Sequence, residues 1–176
     1  MALVEYDIDL VHSQLGFSVV HLMITRVHGV FTKWGGTAAI DHDDPTRSRV
    51  AVEIDAASVD TRNAQRDGHL RSADFFDVEH HPTIRFESQR VERDGDDFRL
   101  TGDFTLRGVT HPVTFAVAPA GPSKDSTGRA RIGYRCTATI RRKDFGVSWH
   151  AVYDGGSIVV ADEVDVVLDL QLIPRG

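Results

Sequence analysis

The chain has 176 residues, and 26 acidic against 20 basic side chains give it a formal net charge of −6. This charge argues against general nucleic-acid or anionic-membrane binding, because both partners select basic surfaces. One cysteine excludes an internal disulfide framework, and no apolar run approaches the ~20 residues of a spanning helix. We expect a soluble protein, without an integral membrane segment, in which residues 1–176 form one domain.

The first ten residues, MALVEYDIDL, lack the basic and apolar regions of a secretory signal. We therefore expect a cytoplasmic location, unless a leader has been removed.

Alternation of apolar and polar residues with a period of two predicts β-strands along most of the chain. The early predicted strands cover residues 4–9, 14–20, 27–41 and 49–56, and the connector at 21–26 is compatible with a helical turn. In the second strand, Phe17 and Val19 share a face with His21, so an apolar face ends in an imidazole. The pair Gly35-Gly36 predicts a bend in the third, as a curling sheet requires.

Residues 58–82 interrupt this rhythm and predict one short helix at 64–71. Phe75 and Phe76 follow it, between Asp74 and Asp77. We expect this segment to form the rim or lid of a barrel, with both aromatic rings tucked against the opening.

The alternation then returns in predicted strands at residues 84–88, 98–106, 113–117, 132–140 and 164–172. Arg107-Gly108 predicts a tight turn, because glycine tolerates positive φ. Outward positions are charged or threonine, so only one face of the sheet is buried. With one short helix to cover it, the sheet must close on itself or fold into a sandwich. We predict an all-β fold: an extended antiparallel barrel of about eight strands with one short helical excursion.

A barrel of ~8 strands either fills with side chains or holds one small ligand. Small residues at inward positions (Ser88, Gly102, Cys136 and Ala138) favour an interior with space. Burial of a long apolar chain would gain about 0.8 kcal/mol per methylene. The predicted ligand-binding residues are Phe17, Val19, His21, Phe31, Val52, Ile54, Leu70, Phe75, Phe76, Phe86, Leu100, Phe104, Phe115, Tyr134, Cys136, Ala138 and Leu168.

Four polar side chains are candidates for a lipid head group: His21, Arg62, Arg66 and Arg71. Each has a second interpretation that stays open. His21 could instead satisfy backbone carbonyls at a strand end, and the arginines could form a solvated helix face.

The sequence offers no catalytic or metal site that we can support. His12-Ser13 lacks a nucleophile elbow and an ordered acid partner. Cys136 lies on an apolar face and is expected to act as a small hydrophobe. His80 and His81 are neighbours that would point in opposite directions in extended chain. We predict neither an enzyme nor a cofactor, apart from a bound lipid.

A series of motifs resembles the YceI family of lipocalin-like, polyisoprenoid-binding proteins. The matching positions are Tyr6-x-Ile8-Asp9-x-x-His12-Ser13-x-x-x-Phe17-x-Val19-x-His21, Gly29-x-Phe31, Ser58-Val59-Asp60-Thr61, His69-Leu70-x-Ser72-x-Asp74-Phe75-Phe76, His81-Pro82, Phe86-x-Ser88, Gly102-x-Phe104-x-Leu106-x-Gly108-Val109-Thr110-x-Pro112 and Arg142-x-Asp144-Phe145-Gly146. The resemblance covers nearly the whole chain and implies a lipocalin-like barrel around a deep apolar channel. It also implies lipid transport, and for many members a periplasmic location and a link to stress response; it transfers no catalytic residue.

Two functional hypotheses follow. The first is non-catalytic binding, storage or transport of a polyisoprenoid, a quinone or a fatty-acyl-like lipid. The alternative is a filled barrel that serves as an interaction module, with a homodimer as a possible form.

Overall fold

The structure is a computed structural model that describes residues 2–22, 24–149 and 160–176. In these ranges the chain forms strands and one α-helix in the following order: β1 (Val4–Ile8), β2 (Gln14–His21), β3 (Thr25–Phe31), β4 (Trp34–Ile40), β5 (Arg49–Asp55), β6 (Val59–Asp60), α1 (Ala64–Arg71), β7 (Thr83–Asp94), β8 (Asp97–Leu106), β9 (Val109–Lys124), β10 (Ala130–Arg141) and β11 (Val160–Pro174).

The strands close into an eight-stranded antiparallel barrel. β1 and β2 both pair with β11, at its end and along its earlier part, so they are two halves of one bent strand. β3 pairs with β2, and β4 pairs with β1. β6 then pairs with β3, and β5 pairs with β4. Hydrogen bonds between β1 and β11 complete the ring, which leaves no long free edge among the strands that the structure describes. The predicted fold class is confirmed.

Two local predictions were wrong. The expected strand at 27–41 bends at residues 32–33, which separates β3 from β4, whereas Gly35 and Gly36 lie in a regular ladder with β5. The connector at 21–26 is a hairpin turn and not a helical turn, because His21 already pairs with Thr25; position 23 within it is outside the described residues. In both places the partner strands, which are distant in sequence or lie across the turn, decide where a strand ends.

The tight turn between β8 and β9 is confirmed. Arg107 and Gly108 have φ values of 52° and 72°, and Leu106 pairs directly with Val109 across the turn. Two consecutive positive φ values suit the right-handed twist of the flanking strands.

The helix α1 lies over one end of the barrel and has the bounds that the sequence predicts. Asn63 caps its first turn by accepting a hydrogen bond from the Arg66 amide at 2.9 Å. The buried carboxylate of Asp67 accepts from the amide and hydroxyl of Thr61 at 2.9 and 2.5 Å. Arg71 donates to the Ala57 carbonyl at 2.9 Å. These contacts, rather than an apolar helix face, fix α1 against the β5–β6 end.

The apolar sides of the strands face inward and form one core cluster that also includes Phe75 and Phe145. Within the described ranges, no helix has the length and apolar character needed to cross a bilayer.

Candidate functional site

The barrel interior contains an apolar space, which we call the central chamber. It has a cavity volume of about 150 Å³. Leu70, Phe75 and Phe76, from α1 and the loop after it, close its wall at one end. The predicted residues that line it are Phe17, Val19, Phe31, Val52, Ile54, Leu70, Phe75, Phe76, Phe86, Leu100, Phe104, Phe115, Cys136 and Leu168.

Three predicted wall residues lie elsewhere. His21 lines a neighbouring pocket near α1, and Tyr134 lines a third pocket at the opposite end of the barrel. Ala138 packs against the core and is not among the lining residues of any of these spaces. Period-two alternation predicts which side of the sheet a residue faces, but it does not predict its depth along the barrel axis.

The pocket near α1, which we call the mouth chamber, lies between that helix and the β2–β3 hairpin and has a cavity volume of about 430 Å³. Its outer lining includes the exposed residues Asn63, Gln65 and Arg66, so it reaches the surface. It shares Phe17, Val19, Leu70, Phe75 and Val160 with the central chamber. The two spaces are therefore neighbours.

An aromatic cluster stands where these chambers meet. The His69 imidazole is 5.0 Å from the Phe75 ring and 4.7 Å from the Trp149 ring, edge to face in both cases. Its Nε2 atom lies 2.8 Å from the Asp74 carboxylate. His69 therefore contacts two aromatic rings with its imidazole and a carboxylate with its Nε2 atom. It belongs to the family motif but is not among the predicted site residues.

The structure separates the three predicted head-group arginines. Arg66 lines the mouth chamber, where its guanidinium donates to the Thr61 hydroxyl at 2.7 Å and the Thr61 carbonyl at 2.8 Å. Arg71 is turned toward the carbonyls of Ala57 and Val59, so it holds the helix in place. Arg62 is exposed and is not among the chamber's lining residues. Of the candidates, Arg66 and His21 lie beside this opening.

The opposite end of the barrel contains a third space, with a cavity volume of about 150 Å³, which we call the distal chamber. Its walls are mainly apolar and include Phe98, Val117 and Leu172. His42, which is hydrogen-bonded through Nε2 to the hydroxyl of buried Tyr6 at 2.7 Å, lies at its exposed rim. The sequence does not predict this chamber, because the segments that surround it are distant along the chain.

Arg142 is a buried cation that borders the central chamber. Its guanidinium donates to the carbonyls of Val147 and Trp149 at 2.8 and 2.7 Å, and to those of Ala161 and Val160 at 2.9 and 3.3 Å. Burial lowers the pKa of this guanidinium, and the charge of Asp162 partly opposes that shift. Since four carbonyls occupy its donors, Arg142 organises the chain on either side of residues 150–159.

The small inward residues do not all leave space, contrary to expectation. The Phe86 ring occupies the place that a side chain at Gly102 would fill. The Ser88 hydroxyl accepts a hydrogen bond from the Val50 amide at 2.9 Å, beside a bulge in β7. Cys136 does line the central chamber, and burial raises the pKa of its thiol to about 12. The space in the central chamber arises from the size of the closed barrel rather than from small residues alone.

The sequence reasoning missed several wall residues. Most of them continue the same alternating series and could have been found from it: Leu15, Val50, Ile84, Leu106, Ile140, Val164, Val166 and Leu170. Arg142 and Val147 follow the end of β10, where alternation gives no signal. Across the described part of the chain, no group of three or more His, Cys, Asp or Glu side chains could hold a metal ion.

Comparison with known proteins places this barrel in a family. The YceI-like domain matches residues 6–172. Protein YceI of Escherichia coli is 37% identical over 169 residues, which cover 95% of this chain and 85% of that protein. BcnA of Burkholderia cenocepacia has a similar fold, with a TM-score of 0.80 at 23% identity over 94% of this chain and 99% of its own. A polyisoprenoid binding domain from Saccharophagus degradans has a TM-score of 0.70 at 16% identity over 98% of this chain and 99% of its own. Because the domain match spans nearly all residues and the fold agrees along the same length, this chain belongs to the YceI-like family.

Proposed function

We propose that this protein binds a long-chain polyisoprenoid, or a related amphiphilic lipid such as a quinone or fatty-acyl compound, in the barrel interior without converting it chemically. The observation that carries the proposal is the central chamber, an apolar cavity of about 150 Å³ that adjoins the mouth chamber of about 430 Å³. Binding to this interior would be driven by removal of hydrocarbon from water, at about 0.8 kcal/mol per methylene.

The position of the polar groups supports an amphiphile rather than a pure hydrocarbon. The mouth chamber adjoins the central one and carries Arg66 and the imidazoles of His21 and His69. A lipid with its chain in the central chamber would have its head group among these side chains. The solved domain from Saccharophagus degradans is named for polyisoprenoid binding, but its low identity supports the fold, so the ligand class rests on the chamber.

The competing hypothesis is a filled barrel that acts as an interaction module. Protein interiors normally contain few voids larger than a water molecule. A space of this size would cost stability if its purpose were only to support an outer surface. The chamber therefore favours a bound ligand.

The test is native mass spectrometry of the protein purified without detergent, followed by organic extraction and identification of any released lipid. We expect an added mass that disappears on extraction and returns when the stripped protein is incubated with a dispersed isoprenoid alcohol. A protein that takes up no lipid under either condition would contradict the proposal. The same spectra report whether the protein is a monomer or a homodimer.

Two neighbouring residues of β11 provide matched variants. Val166 lines the central chamber, whereas Val167 is not among its lining residues and alternates to the other side of the strand. Val166→Glu should lose most of the bound lipid because a carboxylate in an apolar wall is costly to desolvate. Val167→Glu should retain it. Equal retention by both variants, with native circular dichroism spectra, would rule out the central chamber as the site.

A further inference from the structure

We propose that the distal chamber receives the far end of the lipid tail, and that Val50, Leu100, Cys136 and Leu170 form a partition that sets which tail lengths bind. This inference rests on the proposed function and extends it to the selection of the ligand. The four residues line the central and the distal chambers at once, so they lie at the junction of the two.

The order of the three spaces supports a single path along the barrel axis. The central chamber shares lining residues with the mouth chamber and with the distal chamber, but those two share none. A molecule that reaches from one outer chamber to the other must therefore pass through the central one. A tail longer than the central chamber has to cross the partition or remain outside the barrel.

The partition residues come from four different strands, β5, β8, β10 and β11, which surround the axis. Cys136 is the smallest of the four side chains, so β10 contributes the least bulk at this level. Its thiol is buried, and burial raises its pKa to about 12, so it remains a neutral apolar group beside a tail. The partition is thus an apolar constriction rather than a polar barrier.

The distal chamber suits hydrocarbon in the same way. Phe98, Val117 and Leu172 contribute apolar wall, and the polar side chains His42, Ser48 and Arg49 belong to the 40–49 segment at its edge. Each methylene that enters such a space strengthens binding by about fourfold. Long tails should therefore gain affinity over short tails only while the passage through the partition stays open.

Two variants narrow the partition from two different strands, β8 and β10, which flank β9. Cys136→Phe enlarges the side chain on β10, and Leu100→Trp enlarges the one on β8. The control Thr137→Phe adds the same ring at the next position of β10, which alternates to the other side of the strand and is not a lining residue of either chamber. Each stripped protein is incubated with farnesol, a short isoprenoid alcohol, or with solanesol, a long one, in the same mild detergent.

We expect the original protein and Thr137→Phe to bind both alcohols. Cys136→Phe and Leu100→Trp should keep farnesol within about twofold and lose solanesol by at least about tenfold, since several methylenes are then excluded. Unchanged solanesol binding in both partition variants would overturn the inference, as would equal loss of both alcohols. If the original protein binds farnesol but not solanesol, the inference fails while the proposed function stands. If it binds neither, the proposed function fails as well.

A second measurement uses only the original protein and does not depend on whether a variant folds. Isoprenoid alcohols with a photoreactive diazirine at the end of the tail are bound to the original protein and irradiated. The long analogue should label the peptide that contains Val117 in the distal chamber, whereas the short one should label central-chamber peptides such as the one with Phe104. Labelling of the same central peptides by both analogues would overturn the inference.

Discussion

The ring of Phe86 lies across Gly102 on the neighbouring strand, so a Cβ atom at position 102 would stand 2.6 Å from the ring's Cζ atom. Gly102 is buried, and it lies between β7 and β9 in the ladder. The same Cβ would stand closer still to the Glu87 carbonyl oxygen, so the glycine leaves room for both the wall aromatic and the β7 backbone.

Gly102→Ala should lower the free energy of unfolding by about 1–3 kcal/mol, because the added methyl group forces the Phe86 ring or the β7 backbone to move. Gly35→Ala is the control, since a Cβ there meets no atom within 4 Å, and it should change stability by no more than about 0.5 kcal/mol. Urea denaturation curves of the two variants measure this difference. Similar unfolding free energies for the two variants would show that the close contact at Gly102 does not contribute to stability.

Arg142→Met keeps an apolar stem but removes the guanidinium that serves the carbonyls on both sides of residues 150–159. We expect a loss of at least about 2 kcal/mol in unfolding free energy, because buried carbonyls lose charged donors. Lipid retention should fall too, since Val147 and Val160 belong to the chamber wall. Lys143→Ala, which removes an exposed cation 3.2 Å from Asp162, should cost less than about 1 kcal/mol. Equal effects of the two variants in urea denaturation would contradict this role.

Cys136 should resist thiol reagents in the folded protein. Burial raises the pKa of its thiol to about 12, so almost no thiolate forms at pH 8, and the side chain is only 4% exposed. Ellman's reagent should release no colour from the native protein and one equivalent after unfolding in urea. Rapid reaction without denaturant would show that the partition opens to water.

Acid should weaken the β9–β10 turn. Hydrogen bonds from the Thr127 hydroxyl, the Arg129 amide and the Arg131 guanidinium hold the pKa of the Asp125 carboxyl well below its usual range. Because the folded pKa lies below the unfolded one, this carboxylate stabilises the fold above the unfolded pKa, and the contribution is lost as the pH falls toward the folded pKa.

The measurement is Tm against pH for the original protein and Asp125→Asn. The variant should have a lower Tm than the original protein at pH 7, and this difference in Tm should shrink as the pH falls below about 4. Asp96→Asn, in the exposed β7–β8 turn, should show no such gap. A gap for Asp125→Asn that is independent of pH would exclude the carboxylate charge as its origin.

The sequence alone determined the class of fold and the side of each strand that faces inward. In the series Phe98, Leu100 and Phe104, alternation predicts the buried face because successive side chains on a strand point to opposite sides. The short helix and the Arg107-Gly108 turn were also predicted within their observed bounds, since capping and positive φ are local properties. The family motifs added the order of these elements and the expectation of a lipid.

Only the tertiary structure decided how deep each inward residue lies and which spaces it borders. His21, Cys136 and Tyr134 all face the interior in the predicted pattern, yet His21 borders the mouth chamber, Tyr134 the distal chamber, and Cys136 both the central and the distal chambers. The role of Arg142 likewise depends on carbonyls on both sides of residues 150–159. Depth along a barrel is set by the stagger between strands that are distant in sequence, and a local pattern carries no information about that stagger.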